Sequence, residues 1–283
     1  MTHPRPDMTP TDHAELALLL EVASTPKPGN VDRTRDHDDL RFEHFLAGAV
    51  GSRPGLAAAE SDVAIGDAFD RAVDGMSHQE GGNTQFGCLL LLVPLVRTAA
   101  RGDLSPEGVT SVVESTTVDD AAGFYRAFEH VDVAVDDPPA EADALDVRRG
   151  ADAIPALREQ GVTLADVMHL SADRDGNARE WTTGFERTFA AAERIAADEG
   201  PITDRLARIF LDLLAERPDT LVAVDHGMER AREVSRQAEA VRGDLAAAED
   251  LAEKFHEAGI NPGTTADLTA AAAFIALERG VRV

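Results

Sequence analysis

Cys88-Leu89-Leu90-Leu91-Leu92-Val93-Pro94-Leu95-Val96 is the most apolar run in the chain, and its reading decides the fold. A helix that is hydrophobic on every side must be surrounded by other elements, so this run predicts the central helix of an all-α protein, with a kink at Pro94. It has about half of the roughly 20 residues needed to cross a bilayer. The Cys88 thiol reads as a buried structural group rather than a nucleophile. The preceding loop, Gly81-Gly82-Asn83-Thr84-Gln85-Phe86-Gly87, sets Asn83 and Thr84 at the mouth of the core.

Working outward, helical spacing continues in both directions. Leu16, Leu19, Leu20 and Ala23 predict a first helix capped by Thr11 or Asp12, after a flexible stretch over residues 1–10. Phe42, Phe45, Leu46 and Ala49 predict a second from about Asp39, with Asp36, Asp38 and Asp39 suited to its N-terminus. Pro54 is expected to open a third, carrying Leu56, Val63, Phe69, Val73 and Met76. Downstream, Ser105-Pro106-Glu107, Thr117 with Asp120, and Thr163 are helix starts, and residues 179–197 predict one long helix. Thr203 starts the next, Gly243-Asp244 breaks and recaps another, and a last alanine-rich helix ends at Gly280. Residues 131–144, acidic and Pro-rich, are expected to be a surface excursion. The best strand candidate, Leu221-Val222-Ala223-Val224, is too short to anchor a sheet. The expectation is therefore a multi-helix, all-α bundle, with residues 11–283 as a single domain.

Charge narrows the partners. With 27 Lys+Arg against 52 Asp+Glu the formal net charge is -25, which repels nucleic acid and anionic membrane alike. Most of the cations are arginine. Such a surface suits a salt-rich cytoplasm, where screening is short-ranged and dense carboxylates keep a protein hydrated. A single cysteine excludes an internal disulfide and a multi-cysteine zinc site. Met1 to Pro10 carries no apolar signal region, so a soluble, cytoplasmic protein is expected. His37, His44, His169, His226 and His256 lack the paired spacing of a zinc helix.

Three loops stand out, and each leads into a helix. Thr25-Pro26-Lys27-Pro28-Gly29-Asn30-Val31-Asp32-Arg33 is stiffened by two prolines and offers mixed polar chemistry suited to a polyanion with a metal. The Gly-Gly-Asn-Thr loop at residues 81–84 and Asn261-Pro262-Gly263-Thr264-Thr265-Ala266-Asp267 place small polar groups at helix N-termini, where phosphate is commonly held. Each alone also reads as a capped turn, and for the Gly-Gly-Asn-Thr loop by itself that reading is the better one; the three together point to a phosphorylated ligand if the fold gathers them in one cleft. No P-loop and no Rossmann glycine pattern is present.

Glu21 through Asp32, Asn83-Thr84 with Gly87, Asp219-Thr220 with Gly227, and Asn261-Pro262-Gly263-Thr264 with Ala266-Asp267-Leu268 resemble, in order and spacing, the signatures of the triphosphoribosyl-dephospho-coenzyme A synthases. The resemblance spans nearly the whole chain. It implies an all-helical enzyme that joins ATP to 3'-dephospho-coenzyme A and releases adenine, with Mg2+ neutralising the triphosphate. Downstream it implies a lyase acyl carrier system, since the family's product is a prosthetic-group precursor. The residues carried over are Lys27 and Arg33 on phosphate, Asp32 and Asp267 as magnesium ligands or base, and Glu21 as a second catalytic carboxylate. Gly29, Asn30, Asn83, Thr84, Asn261, Gly263 and Thr264 would line the nucleotide site. Two departures bear on the acceptor: Gln85 stands where bacterial members tend to have histidine, and residues 131–144 lack a glycine-rich turn. A non-catalytic nucleotide-binding homologue and a nucleotide hydrolase remain the alternatives.

Overall fold

The computed structural model describes residues 8–138 and 140–283. Most of the flexible stretch expected at the N-terminus, residues 1–7, lies outside the described residues. Among those described, α-helices alternate with short connections and no strand is formed; the one β-bridge, Asp32 to Arg35, is isolated.

The first helix, α1 (Pro10–Ala23), begins two or three residues earlier than a cap at Thr11 or Asp12 would allow, because Thr9 is the cap. The Thr9 hydroxyl accepts from the Asp12 amide and the Asp12 carboxylate accepts from the Thr9 amide, closing a capping box. The second, α2 (Phe42–Ala59), passes through Pro54 instead of ending there. One missing N–H does not outweigh the packing of Leu56 and Gly55 against α3 (Ile65–Met76). The break falls at residues 60–64, where buried Arg97 donates from Nε to the Ala59 carbonyl (2.7 Å) and from Nη2 to that of Val63. Of the three aspartates before α2, Asp36 accepts from the Phe42 amide at 2.7 Å.

The apolar run forms α4 (Phe86–Ala100), which continues through Pro94 and is buried over nearly its full length. It is followed by α5 (Pro106–Glu114), capped by Ser105, and α6 (Val118–Ala127), capped by Thr117 with Asp120. Two 3-10 segments, Ala140–Leu145 and Val147–Ala153, lead into α7 (Ile154–Gln160) and α8 (Leu164–Ser171), the latter capped by Thr163.

The helix expected over residues 179–197 is two: α9 (Gly176–Thr182) and α10 (Glu186–Ala197). The chain turns left-handed at Gly184 and Phe185, and buried Glu180 accepts from the amide and hydroxyl of Thr188 (2.9 and 2.7 Å), tying α10 back onto α9. Next come α11 (Ile202–Glu216), α12 (Thr220–His226), α13 (Met228–Ala240), α14 (Leu245–Glu257) and α15 (Gly263–Glu278). The strand candidate at residues 221–224 lies inside α12, capped by Asp219.

The core has a second central helix beside α4. Thr265 to Leu277 of α15 are buried apart from Asp267, which is half-buried by area. Its alanines let α1, α4, α10 and α11 pack closely around it. A smaller apolar cluster around Phe210, Phe255 and Ile260 joins α11 to α14. Both α4 and α15 start at the same end of the bundle, so their N-terminal loops meet. Among the described residues no helix is long and apolar enough to cross a membrane.

Candidate active site

A cavity of about 590 Å³ opens where those loops converge. Asn30, Asn83, Thr84, Asn261, Gly263 and Thr264 all line it, so the three motif loops do share one cleft. The rest of the lining includes Phe124 and Tyr125 of α6, Phe128 just beyond it, the end of α8, and the segment over residues 132–147. That segment is therefore not a mere surface excursion. Its Val133, Val135 and Pro138 face the cavity, and Arg174 and Arg148 hold Asp137 in place through its carbonyl and its carboxylate.

The proline-rich loop builds the floor from inside. Asp32 is fully buried, and donors occupy both its oxygens: Thr25 Oγ1 (2.8 Å) and Lys27 N (3.3 Å) on Oδ2, Thr34 N (2.8 Å) and Oγ1 (2.6 Å) on Oδ1. Arg35 adds an ion pair at 3.5 Å. A carboxylate offers about four lone-pair positions, so Asp32 is saturated, and it does not line the cavity. Lys27 and Lys254 are the chain's only lysines, and Lys27 is completely buried. Its Nζ donates to Glu21 and to Asn30 Oδ1 (2.8 Å), while Asn30 Nδ2 reaches Asn261 Oδ1 (2.9 Å). Lys27 thus stands behind the wall. Arg33 donates to the Ala23 carbonyl at 3.1 Å and also lies outside the cavity. Gly29 lies off the cavity at φ +83°, where a Cβ would overlap the Ile260 carbonyl; its bare backbone lets the first and last motif loops meet. Glu21 is the member of this group whose carboxylate reaches the cavity. Burial pushes its pKa up, against the pull of Lys27.

The other wall is organised differently. Asp267, in the first turns of α15, accepts from Asn177 Nδ2 (2.7 Å on Oδ2) and from the Cys88 thiol (3.1 Å on Oδ1). Burial, reinforced by the nearby carboxylates of Asp219 and Glu21, raises its pKa to about 7. Gly87 lies flat against this pair, where any side chain would overlap Asp267 Oδ2. Asp219 accepts from the amides of Leu221 and Val222 and from the amide and hydroxyl of Thr265 (both 2.7 Å), pinning α12 to α15. Thr220 Oγ1 lies 3.0 Å from Thr264 Oγ1 and accepts from the Gly176 amide. Asn83 Oδ1 accepts from the Phe86 amide, which starts α4. Several buried polar atoms here have no partner: Thr84 Oγ1, both amide atoms of Gln85, and Asn177 Oδ1.

Comparison with known proteins assigns the arrangement. The CitG family, ATP:dephospho-CoA triphosphoribosyl transferase, matches residues 7–282. This chain belongs to that family. A crystal structure of an Archaeoglobus fulgidus protein, provisionally named triphosphoribosyl-dephospho-coA synthase, is 27% identical in sequence. It covers 84% of this chain and 100% of its own, with a TM-score of 0.69. No curated protein matches the chain.

For a triphosphoribosyl transferase the cavity is short of positive charge. Glu21, Asp39, Asp132, Asp136, Asp146, Asp175, Asp225 and Asp267 line it, against Arg174 as the one lysine or arginine lining it among the described residues. Asn177, Cys88 and Asp175 were not legible as site residues, and Thr220 was read only as part of a family signature with no role assigned. Asn177 and Cys88 matter through contacts with Asp267 across 90 and 179 positions of sequence, a relation no local motif encodes.

Proposed function

We propose that this chain transfers the 5-triphosphoribosyl unit of ATP to the 2'-hydroxyl of 3'-dephospho-coenzyme A and releases adenine. The observation that carries the residue assignment is the Asp267 carboxylate, half-buried in the cavity wall, bonded to Asn177 and Cys88, with a pKa raised to about 7. A general base works best when its pKa lies near the working pH, and an ordinary aspartate is too weak.

The step balances within the two substrates. The acceptor oxygen bonds to C1' of the ATP ribose as the bond from C1' to the adenine nitrogen breaks, and the electron pair leaves with adenine. Asp267 takes the hydroxyl proton and gives it up again through solvent, and adenine takes up one proton in place of the sugar, so the base is restored and the transfer is proton-neutral overall. Positive charge develops on the ribose, and Glu21, held by Lys27 at the same cavity, is the second carboxylate available to steady it. Asn30, Asn83, Thr84, Asn261, Gly263 and Thr264 provide the nucleotide-binding surface.

Magnesium fits this donor set as a companion of the triphosphate. Among the described residues no three His, Cys, Asp or Glu side chains form a metal cluster. Mg2+ needs only one or two carboxylates when phosphate and water fill its other positions. Asp175 is suited to hold it: it lines the cavity, and its two accepted bonds, from the Asn177 and Ala178 amides, both fall on Oδ1. Bound there, the ion would offset the phosphate charge that the acid-rich lining cannot. Asp32, with its oxygens taken, serves the loop rather than the ion.

The net charge of -25 supports a cytoplasm of high salt as the working environment. The test is chromatography after incubating the protein with ATP, magnesium and 3'-dephospho-coenzyme A in multimolar potassium chloride. Adenine together with a coupled triphosphate product is the expected result. Phosphate without adenine would instead identify a hydrolase, and ATP binding without turnover a non-catalytic homologue.

A further inference from the structure

Asn177 is more than nine-tenths buried, lines the cavity, and satisfies only half of its amide. Its Nδ2 donates to Asp267 Oδ2, and in the ionised form in which Asp267 serves as base the carboxylate only accepts, so this bond sets which way the amide faces. Oδ1 is left with no donor. Gly87 lies against Asp267 Oδ2 and Asn177 Nδ2 and has no side chain of its own to offer a donor. A buried acceptor without a partner is unfavourable, and in a ligand cavity it marks a place for a donor carried by the ligand.

The chemistry of the transfer says which donor. The attacking 2'-hydroxyl carries one proton, and Asp267 takes it. A second acceptor directly beside Asp267 therefore needs a second hydroxyl, and the nearest one on the acceptor's ribose is the vicinal 3'-hydroxyl. We propose that Asn177 Oδ1 accepts from this 3'-hydroxyl and makes the site selective against acceptors phosphorylated at that position. A 3'-phosphate has oxygens that accept and no hydroxyl to offer in its ionised form, and it would bring negative charge against both the amide oxygen and Asp267. Asn177 is then a specificity-determining contact that also holds the base.

This inference rests on the transferase reading, and the experiment separates the two. Kinetics with 3'-dephospho-coenzyme A, its 3'-deoxy analogue and coenzyme A would be compared for the unmodified protein, Asn177→Ala and Asn177→Ser, with folding checked by thermal unfolding in potassium chloride. In the unmodified protein, removing the 3'-hydroxyl should raise the acceptor KM about tenfold. Asn177→Ala should show the same rise with 3'-dephospho-coenzyme A, become indifferent to the 3'-deoxy change, and lose about tenfold or more of its preference over coenzyme A. Asn177→Ser should recover part of that preference, and the KM for ATP should stay unchanged throughout. An unmodified protein indifferent to the 3'-deoxy change overturns the proposal, as does a loss that falls on ATP instead. Absence of adenine release from the unmodified protein overturns the transferase reading itself.

Discussion

The loop over residues 25–35 and the wall formed by Gly87, Asn177 and Asp267 both turn polar side chains inward, yet they treat hydrogen bonding in opposite ways. In the loop, the oxygens of Asp32 are saturated and Lys27 is matched by Glu21 and Asn30. At the wall, Asp267 holds a raised pKa and Asn177 keeps an unpartnered oxygen. Saturated groups stabilise a shape, and groups left short of partners are available to a ligand. The most idiosyncratic stretch of sequence is thus largely scaffold, and the chemistry sits on side chains that look ordinary in isolation.

The largest expected effect is on the wall. Asp267→Asn should lower the rate of adenine release by about 10²–10⁴-fold while leaving the protein folded. Its stability should move the other way. An aspartate raised to about pH 7 in the folded state progressively destabilises the fold as pH climbs from its unfolded value towards 7, and that loss is complete above 7. The variant should therefore be more stable than the parent in alkaline buffer, by on the order of 1–4 kcal/mol, and no more stable in acid. Denaturant melts on both sides of neutrality check the sign.

Next in size is the loop. Lys27→Met strands the Glu21 carboxylate in the interior and should cost about 3–5 kcal/mol of stability, with much of it regained in the double variant Glu21→Gln/Lys27→Met. A normal unfolding midpoint combined with a raised KM for ATP would instead make Lys27 a phosphate ligand and erase the contrast. Gly29→Ala, strained at φ +83° and pressed on the Ile260 carbonyl, should lose roughly 1–3 kcal/mol. The smallest effect belongs to Arg33→Ala, which should change stability by no more than about 0.5 kcal/mol and leave the KM for ATP alone. A tenfold rise in that KM would sharpen the loop's role into one of binding.

The legibility of the sequence follows the same division. An all-round apolar segment with its polar preceding loop was enough to place α4 at the centre, and the caps at Ser105, Thr117, Thr163 and Asp244 follow from local hydrogen bonding alone. A proline signal misled at Pro54, where tertiary packing outweighed it, and apolar spacing misled at residues 179–197, where Gly184 marks the break. α2 runs through Pro54 because α3 supports it, and the chain breaks at Gly184 and Phe185 although apolar spacing continues across them. The three motif loops were legible by their composition, and two of them do open helices, α4 and α15; the loop over residues 25–33 instead runs through the bridge at Asp32 and Arg35 and reaches α2 only at Phe42. Residues 131–144 were not legible as a wall, because an acidic, Pro-rich composition looks the same on a surface and over a cavity. Nor was Asn177, whose role depends on meeting Asp267.

The most direct measurement is the pH dependence of single-turnover adenine release, from acid to mildly alkaline buffer in potassium chloride, for the unmodified protein and for Asp32→Asn. If Asp267 is the base, both should lose activity as pH falls, along an acid limb centred at about 7. A rate that holds steady well below pH 7, or a limb that disappears with Asp32→Asn, would move the chemistry back to the loop and contradict the account.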